Sequence, residues 1–315
     1  MKKIKQIAEF AKMYKFNIPV EKHFEYYIET LSQSTEFQNI KALVDEFADF
    51  EEWLAINDFN NVGHYKMNFA YNTLKNHIGS SKAYERCLQF DYSNTKFYEK
   101  DYLKLYEGDC FLSIDFSSAN YQTVKIFDHE NELMDSWENL CNHLNIHPMV
   151  EKSKSFRQVV FGNLNPKRFQ KISHYYILKL VDELKSIFPE DNIIFISHDE
   201  IVFRLSDSEE IVKERCYQIL DILALLEIKR NALLEPWLNV KITPYKTSRI
   251  SKGIYVKDIY SLDENELFCT PKYKTLFGCP GNLYYMNFKK YVLGKDVEEL
   301  DCLFTLDEKL AKWII

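Results

Sequence analysis

The sequence is poor in glycine and proline, with only eight of each among 315 residues. It also lacks low-complexity tracts, linker-like stretches and internal repeats, which excludes a disordered or repetitive protein. Hydrophobic residues make up 46% of the chain and charged residues 28%, the balance of an ordered globular protein. Because domains usually hold about 100 to 200 residues, we expect two or three packed units.

Patterns typical of zinc sites, signal segments and membrane spans are also missing. The seven cysteines are scattered without a CxxC pair, no apolar segment follows the opening Met-Lys-Lys, and no run of about 18 apolar residues occurs. An odd number of cysteines favours free thiols in a reducing compartment. The sequence therefore predicts a cytoplasmic protein with no membrane partner.

The charge is acidic overall but reversed in one place. The formal net charge of -7 argues against a surface that binds phosphates everywhere, so any contact with nucleic acid must be local. Between residues 152 and 171 there are six cations and no acid. This basic stretch is the best candidate for phosphate contacts, although clustered cations are more often a solvated helix face. Its members are Lys152, Lys154, Arg157, Lys167, Arg168 and Lys171.

Composition and hydrophobic periodicity divide the chain into three parts. Residues 1–105 carry aromatic and acidic residues near helical spacing, which predicts a mostly helical N-terminal region. Residues 106–258 alternate between apolar runs and helical patterns. Residues 259–315 are mixed, with a clear turn at 277–282 and no function that the sequence indicates.

The middle part predicts an antiparallel sheet with acids at the ends of its strands. The apolar run at 110–114 ends on Asp115, and the runs at 192–197 and 200–205 are joined through His198 and Asp199. Helices are predicted over 117–127, 132–145, 166–188 and 208–229, and a further strand around 237–242. If these strands form one sheet with the helices behind it, Asp115 and Asp199 meet at one edge.

Two carboxylates in this arrangement suit magnesium. Mg²⁺ prefers oxygen ligands and keeps positions open for substrate phosphates. In a two-metal site, one ion activates an attacking hydroxyl and the other neutralises charge on the leaving group. Asp115 and Asp199 are therefore candidate ligands of Mg²⁺ or Mn²⁺. An acid in a hairpin is also a common polar turn residue, so the hairpin alone does not define a site.

Two segments resemble motifs of family A DNA polymerases over about residues 100–250. The stretch Gly108-Asp109-Cys110-Phe111-Leu112-Ser113-Ile114-Asp115-Phe116-Ser117 resembles the approach to motif A, and Ile196-Ser197-His198-Asp199-Glu200-Ile201-Val202-Phe203 is similar to the more specific motif C. The resemblance implies an α+β fold with an antiparallel right-hand polymerase palm. It also implies metal ligation by Asp115, Asp199 and the backbone carbonyl of Phe116, with Glu200 as a third catalytic residue beside Asp115 and Asp199, and with His198 shaping the hairpin. Primer, template and nucleoside triphosphates would be the partners.

The sequence also departs from that family. Asn120 stands where the family has a glutamate that screens the sugar, so the choice between deoxy- and ribonucleotides stays open. Arg157 matches either the triphosphate-binding position of the fingers helix or the start of a palm helix, and Lys167 and Arg168 are further candidates for phosphate contacts. Only 84 positions separate Asp115 from Asp199, so the fingers must be reduced or supplied by a protein partner.

Three alternatives remain open from the sequence. The compact spacing is similar to reverse transcriptases, although the hairpin lacks their paired aspartates. A degenerate palm could act as a scaffolding or nucleic-acid-binding subunit of a replication or transcription complex. Untemplated addition of nucleotides would follow if the groove cannot hold a duplex.

Overall fold

The structure is a computed structural model that describes residues 17–34, 37, 39–90, 108–117, 119–185, 192–205, 209–233, 240–251, 253–260, 273–306 and 309–313. Its strands, numbered in chain order, are β1 (Ile18–Pro19), β2 (Cys110–Phe116), β3 (Ile193–Ile196), β4 (Glu200–Arg204), β5 (Val240–Ser251), β6 (Ile254–Ile259), β7 (Tyr273–Phe277), β8 (Leu303–Leu306) and β9 (Lys309–Lys312).

The α-helices of the described residues are α1 (Phe24–Leu31), α2 (Ile40–Ile56), α3 (Val62–His64), α4 (Tyr71–Gly79), α5 (Lys82–Gln89), α6 (Ala119–Lys125), α7 (Trp137–His143), α8 (Pro148–Glu151), α9 (Lys154–Gly162), α10 (Pro166–Leu184), α11 (Glu209–Leu233) and α12 (Gly281–Asn287). Short π-helices continue from α3 and from α12 at Tyr65–Ala70 and Phe288–Val292, and 3₁₀ turns lie at Glu21–His23 and Glu299–Cys302. None of these helices combines the length and apolar character that crossing a bilayer requires.

The central feature is a six-stranded antiparallel sheet in the order β3-β4-β2-β5-β6-β7. Strands β2 to β5 follow a β-α-β-β-α-β path along the chain, because helices connect β2 to β3 and α11 connects β4 to β5. This is the split βαβ arrangement, which places β2 between β4 and β5 in the sheet. The mixed α+β class and the antiparallel sheet confirm the sequence prediction.

The helices pack against one face of the sheet, as the sequence predicted. Leu112, Ile114 and Phe203 belong to the main core together with α10 and α11 residues such as Ile177 and Ile219. Each fully buried side chain of this size contributes about 1.5 to 3 kcal/mol. Side chains that point to the other face of the sheet form a second, separate cluster, which consists of Phe111, Ile194, Val202, Tyr245 and Tyr255.

Capping side chains set the starts of several helices. The predicted helix over 132–145 is shorter in the structure, since α7 begins only at Trp137. The side chain of Ser136 accepts a hydrogen bond from the backbone N–H of Asn139, and this cap fixes the first turn. α10 begins at Pro166 as predicted, with Asn165 accepting from the N–H of Arg168 at 3.2 Å. Its predicted end near 188 lies outside the described residues.

The C-terminal region, residues 259–315, pairs through its strands with both the central sheet and the N-terminal region. β6 and β7 extend the central sheet, so the predicted boundary at 258 falls within β6. The other predicted boundary, at 105, lies outside the described residues. β8 and β9 form a small antiparallel sheet with β1 from the N-terminal region.

A buried polar cluster lies next to this small sheet. Both oxygens of the Asp301 carboxylate accept hydrogen bonds: Oδ1 from the Tyr285 hydroxyl at 2.6 Å, and Oδ2 from Lys289 Nζ at 2.7 Å and from the Glu298 N–H at 2.6 Å. The Nε2 atom of His23 lies 3.0 Å from Oδ1. The cluster therefore connects the N-terminal region to the C-terminal one through a fully buried carboxylate.

Candidate functional site

The acids predicted from the sequence lie together at one edge of the central sheet. Asp115 on β2 is directly opposite Glu200 on β4, and on its other side it is opposite Lys241 on β5. The N–H of Phe116 donates to the backbone carbonyl of Asp199 at 2.9 Å. The pairing of Asp115 with Glu200 and the bond from Phe116 to Asp199 join residues 85 and 83 positions apart in sequence, as the predicted strand pairing required.

A serine that the sequence analysis did not single out shapes the hairpin. The N–H of Ser197 donates to the Glu200 carbonyl at 2.8 Å, which closes a two-residue loop of His198 and Asp199. The Ser197 hydroxyl accepts from the N–H groups of Asp199 and Glu200 at 3.3 and 3.0 Å. It also donates to Asp199 Oδ1 at 3.0 Å, so it orients the carboxylate as well as the turn.

The helix layer supports the hairpin from behind. His174 on α10 is fully buried, and its Nδ1 atom lies 2.9 Å from the Ser197 carbonyl oxygen. No local sequence signal marks this histidine, because its contact depends on how α10 packs against the sheet. His198 is half-exposed, with Nε2 at 3.4 Å from Asp199 Oδ1. The role of His198 in shaping the hairpin stays a prediction.

The carboxylates repel one another. Burial, and then the charges of Asp199 and Glu200, raise the pKa of Asp115 to about 7, while Lys154 and Lys241 act in the opposite direction. Glu200 is held by the Ser113 hydroxyl, which donates to its Oε1 at 2.5 Å. A cation placed among these groups would remove the repulsion.

The donor set fits an open magnesium site better than a closed one. Among the residues that the structure describes, no group of three or more His, Cys, Asp and Glu side chains is placed to surround an ion. Mg²⁺ is commonly held by one or two carboxylates, with waters and substrate phosphates completing its shell. Asp115, Asp199 and the carbonyl of Phe116 are the residues that would hold it.

The predicted phosphate-binding residues lie in different places. Lys167 is exposed on the first turn of α10. Arg168 donates through Nε to the Cys87 carbonyl at 3.1 Å and through its guanidinium to the Phe90 carbonyl, so it caps the end of α5. Arg157 acts electrostatically on Glu151 of α8. Phosphate contacts by these three residues stay predictions, and the capping bonds of Arg168 give it a structural role.

Two other lysines act electrostatically on the Asp115 carboxylate. Lys154 begins α9, and Lys241 lies near the start of β5, opposite Asp115. Lys154 belongs to the basic stretch, but nothing in the sequence distinguishes it from its neighbours there. Asn120 lies on α6, which begins shortly after Asp115. Its predicted position near the sugar is not tested by any contact.

The chain was compared with protein-family models, with curated proteins and with solved structures, and none of them matches it. The case for a function therefore depends on the geometry of this site.

Proposed function

We propose that the protein is a polymerase-like nucleotidyltransferase that adds nucleotides to a 3'-hydroxyl by a two-metal mechanism. One observation carries the proposal. Asp115 and the Asp199-Glu200 hairpin, far apart in sequence, lie at one sheet edge, where burial and then the charges of Asp199 and Glu200 raise the pKa of Asp115. A structural role alone does not explain mutually repelling carboxylates at a partly exposed edge.

The residues of the site have distinct roles in this proposal. Asp115, Asp199 and the Phe116 carbonyl bind the ions. Ser197 keeps Asp199 oriented, and Ser113 holds Glu200 beside the ligands. Mg²⁺ or Mn²⁺, when bound, would supply an activated hydroxyl and neutralise charge on the pyrophosphate.

Nucleic acid and nucleoside triphosphates are the proposed partners, within an acidic protein. Lys154 and Lys241 provide positive charge next to the carboxylates, so phosphate binding would be local. The polymerase palm is the finer architecture that we propose for the central sheet. The short connection between Asp115 and Asp199 supports reduced fingers, or fingers supplied by a protein partner.

A second candidate is a palm that binds nucleic acid or protein without catalysis. It is favoured by the formal net charge of -7, which opposes the binding of phosphates over most of the surface. The engagement of Arg168 in capping α5 points in the same direction.

Primer extension distinguishes the two candidates. A labelled primer is tested alone and on DNA and RNA templates, with Mg²⁺ or Mn²⁺ and with either nucleotide set. Asp115→Asn and Asp199→Asn should each lower incorporation by more than about 100-fold, since even outer-shell partners of a metal cost about 10- to 100-fold. Asp135→Asn is the control, because the Asp135 side chain is 96% exposed. Absence of incorporation and of Mn²⁺ binding, from folded protein, would support the non-catalytic candidate.

A further inference from the structure

Lys257 lies on the same face of the sheet as Asp115 and Glu200. Along the paired strands, Asp115 is opposite Lys241, Phe111 is opposite Tyr245, and Thr247 is opposite Lys257. Side chains on a strand alternate between the two faces, so residues an even number of positions apart share a face. The pairing therefore places Lys257 on the carboxylate face, on the neighbouring strand β6.

Two aromatic rings hold the ammonium group of this lysine. Its Nζ atom lies 4.2 Å from the ring centroid of Tyr245 and 4.5 Å from that of Phe277. A cation between two ring faces is stabilised by their negative electrostatic potential, and its position is fixed. Among the described residues, no carboxylate lies within 4.0 Å of this ammonium group to form an ion pair.

A buried hydroxyl on the strand that pairs with β6 lacks a hydrogen-bond partner among the described residues. It belongs to Thr247, which is directly opposite Lys257 in register. A buried hydroxyl without a partner costs free energy comparable to a lost hydrogen bond. Burial lowers the pKa of Lys257, and the charges of Glu200 and Asp115 oppose that effect, so the ammonium is within electrostatic reach of the site. An anion with several oxygens would pair with the ammonium group of Lys257.

We propose that Lys257, held between Tyr245 and Phe277, binds the polyphosphate group of the nucleotide substrate. The inference rests on the proposed nucleotidyl transfer for the identity of the substrate. The binding itself depends only on this cation and its cradle. A fixed ammonium on the carboxylate face offsets the repulsion that the acids exert on an incoming triphosphate.

Binding of inorganic tripolyphosphate, measured by calorimetry with Mg²⁺ present, tests this site without catalysis. Lys257→Met keeps the apolar stem between the rings and removes the charge, and we expect its affinity to fall about 10- to 100-fold. Lys257→Arg should retain most of the affinity. The matched control is Lys246→Gln, because Lys246 is an exposed lysine on the adjacent strand that belongs to the other face of the sheet. Thermal unfolding confirms that each variant is folded.

The outcomes separate this inference from the proposed function. Unchanged tripolyphosphate affinity in folded Lys257→Met, or no binding by the unmodified protein, would overturn the role of Lys257. Loss of binding in Lys257→Met beside an absence of primer extension would leave the polyphosphate site standing and refute nucleotidyl transfer. If extension does occur, Lys257→Met should raise KM for the nucleotide more than it lowers kcat.

Discussion

Asp115 and Glu200 face each other across two hydrogen-bonded strands, so two acids occupy a directly opposed pair in the sheet. Like charges in such a pair are destabilising, because the two side chains lie within about 5.5 Å of each other. Burial, and then the charges of Asp199 and Glu200, raise the pKa of Asp115, while the Ser113 hydroxyl donates a hydrogen bond to Glu200. This relationship leads to predictions about pH, metal binding and stability.

Asp115→Asn should stabilise the protein at neutral and higher pH. The folded-state pKa, about 7, lies above the ordinary value of 3.8, so the contribution of Asp115 to stability is fully present below about pH 4 and is lost as the pH rises through 7. Asparagine does not ionise, so the variant avoids that loss. At neutral and higher pH its free energy of unfolding should exceed that of the unmodified protein by about 1 to 2 kcal/mol, after allowance for solvent screening. Urea unfolding at several pH values between about 5 and 8 measures it. A difference that does not change with pH would contradict the prediction.

Binding of Mn²⁺ should weaken as the pH falls below about 7. An ion must displace the proton from Asp115, so metal binding releases a proton and its affinity falls up to about tenfold per pH unit. Electron paramagnetic resonance of free Mn²⁺ measures the affinity. Asp115→Asn should remove both the binding and its pH dependence, whereas Asp135→Asn should keep both. An affinity independent of pH in the unmodified protein would show that Asp115 is not a ligand.

Ser197→Ala should lower metal affinity and activity without removing any ligand. The substitution removes the hydrogen bond to Asp199 Oδ1 and the two bonds that the hydroxyl accepts in the turn. We expect a loss of about 10- to 100-fold in Mn²⁺ affinity and of about 1 kcal/mol in stability. Ser197→Thr retains the hydroxyl and serves as the control. If alanine and threonine behave alike, the hydroxyl does not position Asp199.

Asp301→Asn should destabilise the fold by about 3 kcal/mol, because it leaves the buried Lys289 ammonium without a counter-charge. Burial tends to raise the pKa of Asp301, but hydrogen bonds from Lys289 and Tyr285 outweigh it and hold the pKa below the usual range. The stability from Asp301 is therefore present at neutral pH and lost on acidification. Chemical unfolding of Asp301→Asn, of Lys289→Met and of the double variant measures the coupling.

The exposed pair of Glu299 and Lys312 provides the control for this cluster, since its Nζ–Oε1 distance is also 2.7 Å. Glu299→Gln should change stability little, because solvent screens the pair. Equal effects of the Asp301 and Glu299 substitutions would show that burial is not the source of the coupling.

The sequence predicted the elements whose signals are local. The apolar run into Asp115 and the hairpin at His198 and Asp199 agree with β2, β3 and β4. The start of α10 was equally clear, because Pro166 and the Asn165 cap are adjacent in sequence.

Apart from the meeting of Asp115 and the hairpin at one sheet edge, features that depend on tertiary contacts were not predicted. β5 is longer than its sequence pattern, since pairing with both β2 and β6 extends it through polar residues such as Thr247 and Arg249. The actions of Lys154 and Lys241 on Asp115, and of His174 on the hairpin, depend on how separate elements pack. Sequence spacing carries no information about those distances.

The pairing of β1 with β8 has a consequence for the order of folding. Ile18 is opposite Thr305, so β1 lacks its partner strand until residues 303–306 have emerged from the ribosome. Chains are synthesised from the N-terminus, and contacts of such long sequence separation form slowly because they close a large loop. β1 is therefore among the last strands to reach its native place, although it precedes every strand of the central sheet in the chain.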